Sequence, residues 1–263
     1  MQTVLEIEAM LKNASKQEFE ALERSLQADT RKGVRSALAK TKKRFEKDEA
    51  EHKRVENMFA FQEELAGQGV IIGLDEVGRG PLAGPLTVCG VVFPPEVRFI
   101  EKLNDSKQLS ESSRALIAED VKKQALAWTV VHVEPSEIDT KGMSACLRKA
   151  FRQAIETVES QGIAIDHILL DGNPLYLDQR EINVIKGDAK CASIAAASVI
   201  AKVTRDTLMV EYDALYPEYD FASSKGYGSQ KHRDAIAQFG LSPIHRKSFC
   251  RNFTTYSQPS LFS

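Results

Sequence analysis

The sequence has few of the features that mark secreted or membrane proteins. Only four cysteines occur in 263 residues, far apart and without C-x-x-C spacing. This argues against a disulfide scaffold and a zinc knuckle, and it fits a reducing compartment. No apolar run approaches the roughly 18–20 residues of a membrane-spanning helix, and the N-terminus lacks the basic and apolar regions of a signal peptide. These absences predict a soluble, cytoplasmic protein without membrane partners.

Two catalytic signatures are also missing. The spacing G-x-x-x-x-G-K-[ST] does not occur, which excludes a P-loop nucleotide hydrolase. No G-x-S-x-G sequence occurs either, so serine hydrolase chemistry has no support.

The formal net charge of −2 hides two basic clusters. One lies in residues 30–47 and the other in residues 222–251. The first contains Arg31, Lys32, Arg35, Lys40, Lys42, Lys43, Arg44 and Lys47. A polyanion such as nucleic acid needs only a local positive field. A solvated helix face explains the first cluster equally well.

Residues 1–66 have a helical pattern only. Ser15 and Glu18 have the spacing of a capping box, and Asp29 is placed to cap a longer helix with sparse apolar positions. That pattern ends at the glycines of residues 67–69. The sequence therefore predicts a helical N-terminal extension (1–66), a catalytic domain (67–254) and a C-terminal tail (255–263).

Short apolar, β-branched runs follow residue 69 and predict five strands. They cover residues 70–74, 86–93, 128–133, 168–172 and 182–185. Helices are predicted at about 144–160 and 191–212, and the second is rich in Ala and Ser, which suits close packing on a sheet. Three successive strands followed by alternating helices and strands predict an α/β fold, with a mixed five-stranded sheet flanked by helices.

Four acidic residues lie at or just beyond the ends of three predicted strands: Asp75, Glu76, Asp171 and Asp188. Ligand sites in open α/β sheets gather at the carboxyl ends of strands. Clustered carboxylates repel one another unless cations neutralise them, and oxygen ligands suit Mg²⁺ or Mn²⁺. Two such ions can promote phosphodiester hydrolysis. Each acid taken singly is also compatible with a cap or turn, and Asp75 and Glu76 share a site only if the strand ends or bulges there.

Several loops offer groups for a nucleic-acid ligand. Gly78-Arg79-Gly80 follows the acidic pair, and glycine lets the backbone approach a ligand closely, although an ordinary turn has the same composition. Residues 104–107 and 223–228 combine small polar side chains with a lysine. Tyr227, between two glycines, is placed to stack on a sugar or base, or alternatively to fold back onto the core. Residues 245–247 are His-Arg-Lys, three basic residues that predict a cluster facing a phosphate.

Taken together, these motifs resemble the type 2 ribonucleases H (ribonuclease HII). The similar segments, in the order of that family, are residues 73–85, 105–107, 170–173, 186–189, 193–206 and 225–228. They extend over roughly residues 70–250. The resemblance implies a ribonuclease H-like sheet and an endonuclease that cleaves RNA/DNA hybrids and duplex DNA with embedded ribonucleotides. Cleavage is expected on the 5′ side of the ribonucleotide, leaving a 3′-hydroxyl and a 5′-phosphate, in ribonucleotide removal during DNA repair and replication.

The resemblance also implies roles for individual residues. Asp75, Glu76, Asp171 and Asp188 correspond to the catalytic, metal-binding acids that hold two Mg²⁺ or Mn²⁺ ions. Gly78, Arg79 and Gly80 correspond to the loop that reads the ribose 2′-hydroxyl, and Tyr227 to the tyrosine that stacks on the next deoxyribose. Ser106, Lys107, Lys202 and Arg205 are expected to contact substrate, the last three through phosphate. An aspartate at position 188 and a helical N-terminus favour ribonuclease HII over ribonuclease HIII.

Two segments lie outside this core. The basic cluster of residues 1–66 is expected to strengthen substrate binding. The tail residues Gln258, Ser260, Leu261 and Phe262 resemble the peptide with which bacterial proteins bind the DNA sliding clamp, although a tail packed on the body is the alternative. Nothing in the sequence requires more than a monomer. A nuclease restricted to hybrids and a non-catalytic nucleic-acid-binding protein are the competing functions, and clustered acids argue against the latter.

Overall fold

The computed structural model describes residues 2–253. By its packing the chain divides into two units, residues 1–54 and 55–263. The division falls inside one helix, because Val55, Met58 and Phe59 belong to the core of the second unit. The sequence-predicted boundary at residue 66 follows the end of that helix. The predicted clamp peptide (Gln258, Ser260, Leu261 and Phe262) lies outside the described residues.

The first unit is built from helices. They are α1 (Val4–Asn13), α2 (Lys16–Ser25) and the first part of α3 (Lys32–Ala66). Capping boxes at Thr3 and Ser15 satisfy the free N–H groups that begin α1 and α2. Ile7, Leu11, Phe19 and Val34 form a small core.

The second unit is centred on one five-stranded sheet. Its elements, in chain order, are β1 (Ile71–Val77), β2 (Leu86–Val92), α4 (Glu111–Gln124), β3 (Ala127–Val133), α5 (Pro135–Lys141), α6 (Met143–Glu159), β4 (His167–Asp171), β5 (Glu181–Val184), α7 (Ala192–Leu215), α8 (Phe221–Ser224) and α9 (Gln230–Phe239). The strand order is β3-β2-β1-β4-β5. The first three strands pair antiparallel, whereas β1, β4 and β5 are parallel.

Helices cover both faces of this sheet. Leu86, Val88 and Val92 of β2 pack into the core on the α6 face. Cys89 and Val91 point the other way, into the core shared with α4 and α7. This alternation follows from the pleat of a strand that is buried on both faces.

The α7 helix lies directly on β1. A Cβ atom at Gly73 would overlap the backbone of Ser193, so only glycine permits this approach. The expectation that the Ala- and Ser-rich helix packs close to the sheet is thus confirmed. It places the first turns of α7 beneath the end of β1.

The predicted mixed five-stranded sheet with flanking helices is confirmed, as are the helices near 144–160 and 191–212. Helices α4, α5, α8 and α9 were not among the predicted elements. All four cysteines are buried free thiols. Within residues 2–253, no helix combines the length and apolarity needed to cross a membrane.

Candidate functional site

The predicted acids meet at one edge of the sheet. The β1–β4 ladder ends at Leu74 paired with Leu170, and Asp75 and Asp171 come next on the two neighbouring parallel strands. Asp188 lies in a single 3₁₀ turn that follows β5 (Gly187–Ala189). Asp75 and Asp188 are buried. The topology therefore places acids from three segments together, as the strand-end argument predicts.

The strand does not end or bulge between Asp75 and Glu76. The pairing of β1 with β2 continues without interruption through Val77, so the end or bulge that the sequence argument required for Asp75 and Glu76 to share a site is absent. Asp75 accepts a hydrogen bond from the backbone N–H of Glu76 at 2.8 Å, and the carboxylate of Glu76 pairs with Arg79 at 3.1 Å. The two acids are nevertheless coupled electrically, because the charge of Glu76 raises the pKa of Asp75.

The negative charges of these acids repel one another, so each charge makes ionisation of its neighbours less favourable. Burial, followed by the charge of Glu76, raises the pKa of Asp75 well above its ordinary range. Burial also raises the pKa of Glu76. For Asp171, burial and the charge of Asp188 raise the pKa, against the hydrogen bond that it accepts from the N–H of Gly187 at 2.6 Å. A divalent cation would relieve this repulsion.

The donor set suits a hard divalent ion, but it is not a closed cage. Among residues 2–253, no three Asp, Glu, His or Cys side chains are arranged so that they hold a metal ion by themselves. Carboxylate oxygens are ligands that Mg²⁺ and Mn²⁺ prefer, and Mg²⁺ usually keeps several waters beside one or two protein carboxylates. The chemistry of the donor groups, rather than their arrangement, is what suits such an ion.

Arg246 holds the loop that follows the acids. Its three guanidinium nitrogens donate to the carbonyls of Gly84 (3.0 Å), Arg79 (3.1 Å) and Gly78 (2.6 Å). The side chain is 0% exposed. The expectation of a phosphate-facing cluster at residues 245–247 is therefore wrong for Arg246. This buried side chain instead holds the backbone of the loop in place.

Arg205 has the same structural role for the neighbouring loop backbone. Its guanidinium donates to the carbonyls of Pro85 (3.0 Å), Lys225 (2.9 Å) and Ala83 (3.2 Å), and it is 0% exposed. The prediction that Arg205 contacts a substrate phosphate is therefore wrong, because the side chain has no exposed surface and each of its three nitrogens donates to a backbone carbonyl. Gly78 belongs to this packing, since a Cβ there would overlap the Arg205 side chain.

The loops fixed by these arginines carry groups that are exposed at the surface. Tyr227 is 44% exposed, so its ring is not folded into the core. The nearest atom to a Cβ built on Gly80 is Cε1 of Tyr227, at 3.9 Å, which is ordinary contact. Within residues 2–253, the backbone N–H groups of Arg79 and Gly80 donate to no backbone or side-chain acceptor. These loops thus place two unused amides near an exposed ring.

The remaining predicted contacts differ in accessibility. Ser106 is only 4% exposed and its Oγ lies 2.9 Å from Oγ of Ser198, so its predicted contact with substrate is wrong for the side chain. Lys107 reaches Asp188 with Nζ at 3.1 Å, and this pairing raises the pKa of the lysine although partial burial opposes it. Lys202 pairs with Asp206 at 2.8 Å.

Sequence reasoning missed Ser198, whose hydroxyl lowers the pKa of Asp75 against the larger effect of burial. Its Oγ lies 2.9 Å from Oγ of Ser106, so this buried serine contacts the segment before α4. The small residues of α7 signalled close packing, but not which serine faces the site.

The basic cluster of the first unit separates into two groups. Arg31 pairs with Asp29 at 2.6 Å, and Arg44 donates to the carbonyls of Lys12 and Ala14, so these arginines stabilise the unit itself. Four exposed lysines lie within about 80° of one another on α3, at roughly 100° per residue. They are Lys32, Lys40, Lys43 and Lys47. They form a stripe opposite the buried Val34.

Known proteins show the same sequence organisation. The sequence model of the ribonuclease HII family matches residues 72–252, and that of the ribonuclease HII N-terminal domain matches residues 3–66. Ribonuclease HII of Listeria monocytogenes serotype 4b (strain F2365) is 42% identical over 228 residues, which are 86% of each chain. Ribonuclease HII of Clostridium acetobutylicum is 41% identical over 258 residues, covering 94% of this chain and 98% of that protein.

A solved structure is also similar. The matched chain of the PCNA:RNase HII complex from Archaeoglobus fulgidus aligns with a TM-score of 0.60 at 25% identity, over 71% of this chain and 98% of that one. The resemblance inferred from the motifs is confirmed by these matches, which together span both units. The chain belongs to the ribonuclease HII family and is a ribonuclease H hydrolase.

Proposed function

We propose that this protein cleaves the phosphodiester bond on the 5′ side of a ribonucleotide, in RNA/DNA hybrids and in duplex DNA that carries single ribonucleotides. The products are a 3′-hydroxyl and a 5′-phosphate, and the role is ribonucleotide removal in the cytoplasm during DNA repair and replication. One observation carries this proposal above the others. The unused amides of Arg79 and Gly80 lie beside the exposed ring of Tyr227.

Those amides suit a ribose 2′-oxygen. The 2′-hydroxyl is the group that distinguishes RNA from DNA, and it both donates and accepts hydrogen bonds. A site whose donors are already fixed discriminates strongly against a ligand that lacks the matching oxygen, because the donors are then left unpaired. Arg246 fixes them by holding the carbonyls of Gly78 and Arg79. Tyr227 then stacks on the neighbouring deoxyribose.

The acids supply the reaction centre. Asp75, Glu76, Asp171 and Asp188 would hold two Mg²⁺ or Mn²⁺ ions. When bound, such ions lower the pKa of water and stabilise the leaving oxygen of a phosphodiester. The protein's own contribution is to orient the carboxylates: Asp75 is held by the N–H of Glu76 and Asp171 by the N–H of Gly187.

Lys107 balances charge at this edge. Its ammonium contacts Asp188, and it is exposed enough to turn toward a phosphate. We assign Lys107 and Lys202 to phosphate contacts, each released from its carboxylate partner when substrate binds.

Labelled duplexes test the substrate assignment. Three are compared: all-DNA, DNA with one ribonucleotide, and a full RNA/DNA hybrid, each with Mg²⁺, Mn²⁺ or EDTA. The expected result is metal-dependent cutting 5′ of the single ribonucleotide, lost in Asp75→Asn. Cutting of the hybrid alone would contradict the roles of Gly80 and Tyr227. Tight binding without cutting in any metal would contradict the catalytic assignment.

A separate proposal concerns the tail. Gln258, Ser260, Leu261 and Phe262 are assigned to a DNA sliding clamp; the archaeal relative was solved in complex with PCNA. The test compares clamp binding by the intact monomeric protein and by a chain truncated after Ser257. Equal affinities would contradict this assignment.

A further inference from the structure

Two buried histidines lie behind Tyr227 and take no part in the chemistry described above. His232, on α9, is 0% exposed, and His245 is 2% exposed. Their Nε2 atoms are 2.9 Å apart. The rings of Tyr219 and Phe221 pack around both, with centroid separations from 4.8 to 6.2 Å. The pair is therefore confined and hydrogen-bonded in one arrangement.

The neighbours of this pair fix where its protons lie. Nδ1 of His232 is 2.8 Å from the carbonyl oxygen of Tyr227, which can only accept, so Nδ1 carries a proton. Nε2 of a neutral His232 then accepts, and Nε2 of His245 donates to it. Nδ1 of His245 is left as an acceptor for the N–H and hydroxyl of Ser242, at 2.9 and 2.7 Å.

Both rings are neutral in this chain of hydrogen bonds. A second proton on either ring would place two N–H groups face to face at the shared contact. Burial lowers the pKa of His245 to about 4, and burial likewise lowers the pKa of His232. Asp220 is the nearby acid that favours a charged His232, but its carboxylate is paired with Lys231 at 2.6 Å.

The carbonyl at the end of this chain belongs to Tyr227, whose ring is exposed. Among residues 2–253, the hydroxyl of Tyr227 makes no hydrogen bond, so the hydrogen bonds that orient this residue are those of its backbone. That carbonyl accepts from the N–H of Ser229 at 2.8 Å and from His232. Both acceptor sites of the oxygen are thus used.

We propose that His232 and His245 are positioning residues that set the orientation of Tyr227 through its backbone carbonyl, and thereby the recognition of the sugar beside the ribonucleotide. This inference rests on the proposed function, which assigns that sugar to Tyr227. The pair touches no reacting atom. Its effect is to hold the ring against Gly80 in the geometry that a bound duplex requires.

Two amide substitutions at one position separate this role from simple packing. In His232→Asn the amide occupies the δ position and still donates to Tyr227, whereas in His232→Gln it occupies the ε position and contacts only His245. We expect His232→Gln to lower kcat/KM for the single-ribonucleotide duplex by roughly three- to tenfold, the value of one neutral hydrogen bond. His232→Asn should stay within about twofold. His167→Gln, at the start of β4, serves as the matched control.

A double-mutant cycle tests the route through Tyr227. In a Tyr227→Ala background, His232→Gln should cause no further loss, because the ring that it positions is absent. Equal losses in both backgrounds, or equal losses for the Asn and Gln variants, would overturn the inference. If Tyr227→Ala is harmful and His232→Gln is silent, the inference alone fails. If Tyr227→Ala is itself silent, the assigned role of Tyr227 fails and the inference fails with it.

Nitrogen NMR of the unsubstituted protein tests the same proposal without any variant. Imidazole ¹⁵N shifts distinguish the two neutral tautomers. We expect the Nδ1–H form for His232 and the Nε2–H form for His245, unchanged from pH 6 to pH 8. The opposite tautomers, or a charged ring in that range, would refute the hydrogen-bond chain and the proposal with it.

Discussion

Replacing Asp75 with asparagine is expected to stabilise the metal-free protein while abolishing cleavage. Asp75 is buried, and its pKa is raised by that burial and by the neighbouring charges of Glu76 and Asp171. The folded protein therefore carries an unfavourable carboxylate where the reaction needs a metal ligand. Asparagine keeps the shape and one acceptor, but removes the charge.

The size of the effect follows from the sheet. Asp75 and Asp171 follow the last paired residues of adjacent parallel strands, which lie about 4.8 Å apart. If the strand spacing is taken as the separation of the two carboxylates, the charges repel by roughly 3 kcal/mol at an effective dielectric constant near 20. The variant weakens the hydrogen bond that Asp75 accepts from the N–H of Glu76, which costs about 1 kcal/mol. The net gain is about 1–2 kcal/mol, or a rise in Tm of about 2–8 °C.

The pH dependence has a definite sign. A carboxyl whose folded pKa lies above the unfolded value of 3.8 binds protons more tightly in the folded state. Its contribution to stability is present at low pH and is lost as the pH rises from 3.8 through the folded pKa. The metal-free wild-type protein should therefore lose more stability over that rise than Asp75→Asn does.

Thermal unfolding in EDTA, repeated across pH 5 to 8 and again with Mn²⁺, measures these quantities. Mn²⁺ should raise the Tm of the wild-type protein more than that of the variant. A lower Tm for Asp75→Asn in EDTA at pH 8 would refute the argument, because it would mean that the buried charge stabilises the fold.

Four other variants test the loops and the first unit. In Arg246→Lys, the single ammonium group cannot reach three carbonyls at once. We therefore expect urea unfolding to show a free energy of unfolding about 2–4 kcal/mol lower, and the cleavage rate to fall more than tenfold. An unchanged rate would contradict the positioning role. Gly226→Ala should lower the free energy of unfolding by about 2–4 kcal/mol, because Gly226 has a φ of +83° and a Cβ there would overlap the carbonyl of residue 83. Gly162 has a similar φ of +84° but open space around it, so Gly162→Ala should lower the free energy of unfolding by only about 1 kcal/mol. Replacing Lys40 and Lys43 together with alanine should reduce the slope of log affinity against log salt by up to about 2 in duplex-binding titrations. An unchanged slope would show that this lysine stripe does not contact phosphate.

The sequence was most informative where one local pattern determines the structure. Strands buried on both faces appear as short apolar runs, so all five were found. The ends of β1 and β4 directed attention to Asp75 and Asp171 because parallel strands place their carboxyl ends at the same edge. The Ala- and Ser-rich segment also indicated its own close packing, for which Gly73 makes room.

What the sequence could not supply is the direction in which a polar side chain points. Arginines such as Arg205 and Arg246 often contact phosphate, yet both are buried here and donate hydrogen bonds to backbone carbonyls. Their partners are backbone atoms, which every residue has, so no sequence pattern marks them. Helix α4 was missed for another reason: its apolar positions are few, although Ser110 caps it.

The carbonyl contacts of Arg246 also constrain the order in which the enzyme can be assembled. Arg246 and Gly78 are separated by 168 positions in the chain. Contacts at such separation form only after most of the loop-closure entropy has been lost. A chain synthesised as far as α7 already contains all four acids, but it lacks the residue that fixes the loop beside them. The proposed metal ligands are thus synthesised before the residue that holds the proposed selectivity loop, and that loop is fixed only after Arg246 has been added to the chain.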